Sequence, residues 1–148
     1  ARRYTAGMSD EPTIFGRILD GELPCHRVYE DEHVLAFLDI NPLSRGHVLV
    51  IPRQRVAKLQ DLDDEAAAAV GRVIPRLCRA ISRVTGVDEM NLLVNNGRRA
   101  GQEVMHVHVH LIPRTEDRGL RFQFAPGDLD RDEGERIASE IAEMMDAD

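Results

Sequence analysis

Three of the chain's six histidines lie at alternate positions within five residues: His106, His108 and His110. In a β-strand, alternate side chains point to the same face, so these three would line one face about 7 Å apart. The intervening Val107 and Val109 would point the other way, into a core. Imidazole has the unperturbed side-chain pKa that lies nearest to neutrality. The row is therefore the first candidate for chemistry.

Three interpretations of this row differ in what the imidazoles do. A plain structural strand with solvated histidines is one, although a core face suits imidazoles poorly. A His-x-His pair that binds Zn²⁺ with a third ligand is another, but the two cysteines are not spaced as a thiolate pair. The third is nucleophilic catalysis, in which one imidazole attacks phosphorus while its neighbours hold its tautomer and protonate the leaving group.

The loop that precedes the row, residues 97–102, favours the catalytic interpretation. Its two glycines let backbone N–H groups approach an anion closely, and Arg98 and Arg99 could add charge-assisted hydrogen bonds. Alone, the same residues would also fit a β-hairpin turn with solvated arginines. Beside three histidines, the loop indicates a phosphate site.

The elements that position these residues follow from the spacing of apolar side chains. We predict strands over residues 27–30, 33–40, 47–51, 91–95 and 104–112, and helices over residues 13–19, 63–84 and 131–145. Pro75 predicts a kink in the long helix, or a break just before it. Because one long helix stands among strands without βαβ alternation, the expected fold class is α+β.

Length, composition and charge restrict the class of protein. The 148 residues, 43% of them hydrophobic and 30% charged, suit one globular domain. Residues 115–148 hold 11 acidic and 4 basic residues, which accounts for the whole net charge of −7. The remainder has no basic excess for long nucleic acid, and its apolar runs are too short to span a membrane. With no CxxC spacing or signal-peptide pattern, we expect a cytoplasmic location.

The chain resembles the histidine triad (HIT) superfamily, whose motif alternates three histidines with apolar residues and ends on two more apolar residues. Residues 106–112 match this motif in full. Further blocks of the family pattern are Ile14-Phe15 with Ile18, residues 34–39, residues 46–52, and Asn95 with Gly101-Gln102. The similarity covers residues 13–114, in order and with family-like spacing.

This resemblance implies a fold, an assembly and a reaction. The fold is an antiparallel sheet of about five strands, with one long helix and short terminal helices. Two protomers join their sheets in a homodimer. The reaction is hydrolysis or nucleotidyl transfer at the α-phosphate of a purine nucleotide. No metal or other cofactor is expected.

The resemblance also assigns roles to single residues. His108 matches the nucleophile, and His110 matches the histidine that contacts the phosphate and helps the leaving group. His106 and His47 match residues that support the nucleophile's orientation. Asp39 matches the acid that binds the ribose hydroxyls. The expected nucleotide-binding set is Asp39, Ile40, Ile14, Phe15, Ile18, Phe37, Leu49, Asn95, Gly101, Gln102, Glu103 and Val104.

Three departures from the family pattern bear on these expectations. Many bacterial relatives carry a Cys-x-x-Cys zinc site, where this chain has residues 13–16, and Arg55 replaces a frequent histidine ligand. We therefore predict no zinc. Glu103 stands where the phosphoramidase branch has a serine, and an ionised carboxylate cannot donate that hydrogen bond and would repel phosphate. The segment from residue 115 onward also differs from that branch.

Within the superfamily, a histidine at position 110 favours hydrolysis, and residues 13–19 resemble the Hint branch. We therefore expect cleavage of purine nucleoside phosphoramidates or related α-phosphate conjugates through a nucleotidyl-His108 intermediate. The alternatives are a dinucleoside polyphosphate hydrolase, a regulatory nucleotide-binding protein without turnover, and a metal-dependent enzyme. The expected organisation is a flexible tail at residues 1–12, a HIT domain at 13–114, and an acidic extension at 115–148 whose helix packs on the domain.

Overall fold

The computed structural model describes residues 12–148, so the expected tail lies outside the described residues except for Pro12. The described chain has three α-helices and five β-strands. In chain order these elements are α1 (Ile14–Leu19), β1 (Arg27–Glu30), β2 (Val34–Leu38), β3 (Val48–Pro52), α2 (Asp64–Thr85), β4 (Met90–Leu93), β5 (Val109–Pro113) and α3 (Arg131–Ala147).

The five strands form one antiparallel sheet in the order β1-β2-β3-β5-β4. This arrangement confirms the predicted α+β class. Strand β5 lies between β3 and β4, and His110 is paired with Leu49 on one side and Leu93 on the other. Since directly paired residues point to the same face, these three side chains share one face of the sheet.

Both faces of the sheet are covered, each by its own apolar cluster. On the first face, Val48 and Val50 of β3 join Leu111 and the buried side of α2. On the second, Leu49 and Ile51 of β3 join Phe15 of α1, Leu35 and Phe37. The alternation of side chains along β3 therefore supplies both cores.

The helices begin and end at residues that satisfy their free backbone groups. The Asp63 side chain accepts the amide N–H of Ala66 at the start of α2, and Gly86 ends the helix in the left-handed region at φ 74°. Of the kink or break predicted at Pro75, the break does not occur, because α2 continues through this residue. Pro75 cannot donate to the carbonyl of Gly71, but both residues are exposed, so water can satisfy that group.

The predicted histidine strand, residues 104–112, is also wrong in its extent. The strand starts at Val109, so His106 and His108 lie before it in irregular chain. To extend further, β5 would have to pair with β3 as far as Pro52, the last residue of β3, and Pro52 has no N–H to donate. Instead, the Pro52 carbonyl accepts from His106 Nε2 at 2.8 Å, and Val107 donates its amide to the Val56 carbonyl at 2.8 Å. The row therefore bends rather than lying flat along one strand.

The C-terminal extension separates into a docked start and an exposed helix. Gly119 donates its amide to the Leu43 carbonyl at 3.2 Å, which ties the start of the extension to the loop after β2. None of the residues of α3 is buried, so the structure places no α3 side chain in the core of this chain. None of the helices described is both long and apolar enough to cross a membrane.

Candidate active site

A cavity of about 770 Å³ opens on the second face of the sheet, between α1, the strands β3 and β5, and the loops beside them. At one end, its walls are apolar side chains of α1 and β2, among them Phe15 and Phe37. At the other end, beside β4, lie Leu93 and Asn95. His108 and His110 line the cavity as well, and the strand order places His110 between its two ends.

His108 is held by its own chain in one tautomer. Its Nδ1 lies 2.7 Å from the carbonyl oxygen of His106, and only a protonated nitrogen can donate to that oxygen. The lone pair is therefore on Nε2. The Phe15 ring packs edge-on against the imidazole, with 4.9 Å between the ring centroids. Backbone and aromatic ring together fix the orientation of a neutral imidazole with an available lone pair.

His47 and His110 form a second oriented pair. The amide N–H of Leu43 donates to His47 Nδ1 at 3.2 Å, so the proton of the neutral His47 ring is on Nε2. His47 Nε2 lies 3.0 Å from His110 Nδ1, which must then accept. The remaining proton of His110 is consequently on Nε2. A backbone amide in the loop after β2 thus determines which nitrogen of His110 can donate a proton.

Burial keeps the four histidines of the site neutral. It lowers the pKa of His106, of His108 and of His47, and the nearby Asp39 carboxylate opposes this effect for the last two. Burial, with His108 and His47 close by, lowers the pKa of His110 to about 4. At neutral pH, His108 is therefore unprotonated at Nε2, which is the form that a nucleophile needs.

Asp39 is the carboxylate nearest to the paired histidines. Its Oδ2 lies 3.6 Å from His47 Nε2, and its Oδ1 accepts the Asn41 amide at 2.8 Å. Asp39, His47 and His110 offer donor atoms within 4.8 Å of one another, close enough to hold a metal ion. The Leu43 amide argues against that use, because it occupies the His47 Nδ1 lone pair and leaves Nε2 protonated. The hydrogen-bond pattern favours proton chemistry over metal binding.

The cavity brings together fourteen of the sixteen site residues expected from the sequence, and the two others stand just behind it. His106 is buried, and its Nε2 donates to the Pro52 carbonyl. Gln102 is also buried, and its side chain accepts from Gly97 and donates to the carbonyls of Ala57 and Val104. Both residues support the cavity wall rather than line it.

Two basic residues singled out in the sequence are not brought to the cavity. Arg98 and Arg99 lie in a single 3₁₀ turn that precedes the histidine row, and both are exposed. Neither contributes to the lining of the cavity. The glycine-bearing loop therefore places its backbone at the site, through Gly101, but not its arginines.

Other lining residues are absent from the expected set: Leu23, Pro24, Cys25, Leu38, Asn41, Leu43, Leu93, Ile112 and Leu120. Leu93 could have been found by pairing the predicted strands, since it lies opposite His110. Leu43 acts at His47 through its backbone amide, and no side-chain pattern indicates that. Leu120 enters through the fold of the extension.

Comparison with known proteins shows which family the chain is similar to. A family model described as the HIT domain matches residues 20–117. A protein named adenylylsulfatase HINT3 from Arabidopsis thaliana is 46% identical over 103 residues, which are 70% of this chain. These residues are 52% of that protein, so the chain spans about half its length.

Two further similarities extend over nearly the full chain. A protein named adenosine 5′-monophosphoramidase hnt1 from Schizosaccharomyces pombe is 41% identical over 133 residues, covering 86% of this chain and 97% of that protein. A solved protein from Leishmania major superposes with a TM-score of 0.87 at 42% identity, covering 92% of this chain and 97% of the other. Sequence and fold therefore agree.

Proposed function

Because the chain belongs to the HIT family, we propose that it is a nucleotide hydrolase that cleaves purine nucleoside phosphoramidates, or related α-phosphate conjugates, to the nucleoside monophosphate. The observation that carries the proposal is the hydrogen bond from His108 Nδ1 to the His106 carbonyl. It leaves the Nε2 lone pair free in the cavity, where it can attack phosphorus.

In the first step, His108 Nε2 forms a bond to the α-phosphorus, and the P–N bond breaks with its electron pair going to the amine. The amine takes a proton from His110 Nε2. To give up this proton without becoming an imidazolate, His110 first gains a proton from solvent at Nδ1 when the substrate binds, and the bound phosphate anion favours this protonated form. When Nδ1 becomes protonated, Asp39 Oδ2 at 3.6 Å from His47 Nε2 can accept the hydrogen that His47 directed to His110.

In the second step, water attacks the phosphorus of the nucleotidyl-His108 intermediate. The P–Nε2 bond breaks, and its electron pair returns to His108. One proton of the water goes to His110 Nε2, and the proton on Nδ1 returns to solvent when the product leaves, which restores the neutral ring. While the nucleotidyl-His108 intermediate exists, the hydrogen bond to the His106 carbonyl stabilises the positive charge on the His108 ring.

The ends of the cavity divide the substrate between them. We place the purine at the apolar end, against residues of α1 and β2 such as Phe15 and Phe37, and the ribose hydroxyls at Asp39. The leaving group then lies at the end with Leu93 and Asn95. The phosphoramidase from S. pombe, alike over nearly its full length, supports an amine leaving group. The adenylylsulfatase from A. thaliana supports sulfate as the other candidate.

We also expect a homodimer formed through strand β4. This strand is at the edge of the sheet, and its Leu92 is 52% exposed. Asn91 Oδ1 is buried without a hydrogen-bond partner among the residues described. An edge strand with an exposed leucine suits pairing with a second copy.

The test is hydrolysis of a fluorogenic adenosine phosphoramidate by the wild-type protein and by His108→Ala. We expect the substitution to lower kcat by about 1,000-fold or more, because no other group supplies the attacking lone pair. The matched control is His26→Ala, since His26 is exposed and lies outside the cavity. Activity should persist in EDTA.

Each other outcome contradicts a part of the proposal. Wild-type binding of AMP without turnover would indicate a regulatory nucleotide-binding protein. Turnover that survives His108→Ala would exclude His108 as the nucleophile. Loss of activity in EDTA, restored by added metal, would favour a metal-dependent reaction.

A further inference from the structure

Among the described residues, the charged side chains that line the cavity are all acidic. Its lining includes two carboxylates, Asp39 and Glu103, and within residues 12–148 it includes no arginine or lysine. The arginines of the preceding loop, Arg98 and Arg99, are exposed and outside the lining. An anion in this cavity therefore meets hydrogen-bond donors but no permanent positive charge from the described residues.

The two carboxylates occupy different places. Asp39 lies beside His47, with 3.6 Å between Oδ2 and Nε2. Glu103 follows Gly101 by two residues, and a Cβ on Gly101 would lie 3.7 Å from the side chain of Asn95. Asn95 belongs to the β4 end of the cavity with Leu93. On the other side of Glu103, Val104 packs against the apolar cluster that contains Phe15. Glu103 therefore lies between the two ends of the cavity, in the part that the phosphoryl group and its leaving group share.

Resting on the proposed function, we propose that Glu103 selects the leaving group: it favours amines that carry a second, positively charged group and disfavours anionic leaving groups such as sulfate or a phosphate chain. The substrate class is then the nucleoside phosphoramidates of aliphatic amines with a terminal ammonium. The α-phosphoryl group already brings one negative charge, so a second anion would meet two carboxylates without a counter-charge.

Apolar side chains of the cavity wall define the rest of the leaving group. Leu93, at the β4 end of the cavity, offers apolar contact that suits a chain of methylene groups between the scissile nitrogen and the ammonium. Because Glu103 itself is exposed, water and salt screen its charge. The expected selectivity is therefore modest and decreases as the salt concentration rises.

The test compares three substrates with the same nucleoside: the adenosine phosphoramidate of 1,4-diaminobutane linked through one nitrogen, that of n-pentylamine, and adenylylsulfate. Each is measured with wild type, Glu103→Gln and Glu32→Gln. Glu32 is the matched control, since it is exposed and outside the cavity, so its substitution changes the net charge equally.

For wild type, we expect kcat/KM for the diamine conjugate to exceed that for pentylamine. In Glu103→Gln this ratio should fall about fivefold, and kcat/KM for adenylylsulfate relative to pentylamine should rise about fivefold. Glu32→Gln should leave both ratios at the wild-type value. About 0.5 M salt should shrink the difference between wild type and Glu103→Gln.

Failure of this inference and failure of the proposed function give different results. Suppose that the phosphoramidates are cleaved and that cleavage depends on His108. If the two kcat/KM ratios are then equal in wild type and Glu103→Gln, or change equally in Glu32→Gln, the role proposed for Glu103 is wrong and the hydrolase proposal stands. If wild type cleaves none of the three, or cleaves them without His108, both are overturned.

Discussion

The two faces of the sheet are built from the same strands but serve different purposes. On the face covered by α2, Val48, Val50 and Leu111 belong to an apolar cluster whose members are fully buried or nearly so. On the face covered by α1, Leu49 and the paired His110 border an open cavity. A shift of one residue along β5 thus moves from the core to the site. The comparison indicates that stability and chemistry are separated by the alternation of a strand.

The strongest test of this separation uses neighbouring residues of β5. Leu111 is 0% exposed, so Leu111→Ala should lower the free energy of unfolding by about 3 kcal/mol, measured by urea denaturation. At a temperature where this variant is folded, its kcat for a phosphoramidate should stay within about threefold of wild type. His110→Asn should do the reverse. If Leu111→Ala lowers kcat as much as His110→Asn does, the two faces are not separable.

The second test concerns the proton relay on the site face. His47→Ala removes the group that donates to His110 Nδ1, so the tautomer of His110 is no longer fixed. We expect kcat to fall roughly 100-fold, with a smaller change in KM. Because this role is indirect, ¹⁵N NMR of the His110 ring supplies the deciding readout, and Nδ1 should become partly protonated.

The controls for the relay are a conservative variant and a distant histidine. His47→Gln keeps an N–H donor in the same region and should restore part of kcat. His26→Ala should leave both kcat and the His110 spectrum unchanged, since His26 is exposed and outside the cavity. A His110 ring that stays unprotonated at Nδ1 in His47→Ala would show that His47 does not set its tautomer.

The same two faces show which parts of the structure could be predicted from the sequence. Along β2, β3 and β5, apolar residues and turn residues predicted strands, and pairing turned that alternation into two faces. The prediction was wrong where a strand needed hydrogen bonds from its neighbour. Residues 104–108 do not extend β5, because Pro52 of the neighbouring strand β3 has no N–H to donate. The motif nevertheless identified two histidines that line the cavity, His108 and His110, because lining the cavity does not require a regular strand throughout the motif.

Backbone contacts between distant segments could not be predicted from the sequence. Leu43 sets the tautomer of His47 through its amide, and Gly119 binds the Leu43 carbonyl, which brings Leu120 to the cavity. Backbone groups are the same in every residue, so no pattern of side chains reports these bonds. The exposed α3 shows the opposite case, in which helical spacing correctly predicts an element although none of its residues is buried in this chain.

The smallest expected effect is a pH dependence of stability that comes from the site face alone. Unfolded histidines take up protons below about pH 6.5, whereas burial lowers the pKa of His110 in the folded protein to about 4. Between these values the unfolded state binds more protons, so the free energy of unfolding falls as the pH decreases. After a discount for the partial exposure of His110, we expect it to account for up to about 1 kcal/mol between pH 7 and 5.5.

Urea denaturation at several pH values between 5.5 and 7 measures this slope, and two variants assign it. His110→Asn should reduce the slope, and His26→Gln should not. The apolar cluster under α2 contains no ionisable group among its buried members, so Leu111→Ala should lower stability by the same amount at both ends of the range. A slope that His110→Asn leaves unchanged would mean that His110 does not stay neutral in the folded protein. Its Nδ1 could then not accept from His47 Nε2 throughout this pH range, and the difference between the two faces would depend on pH.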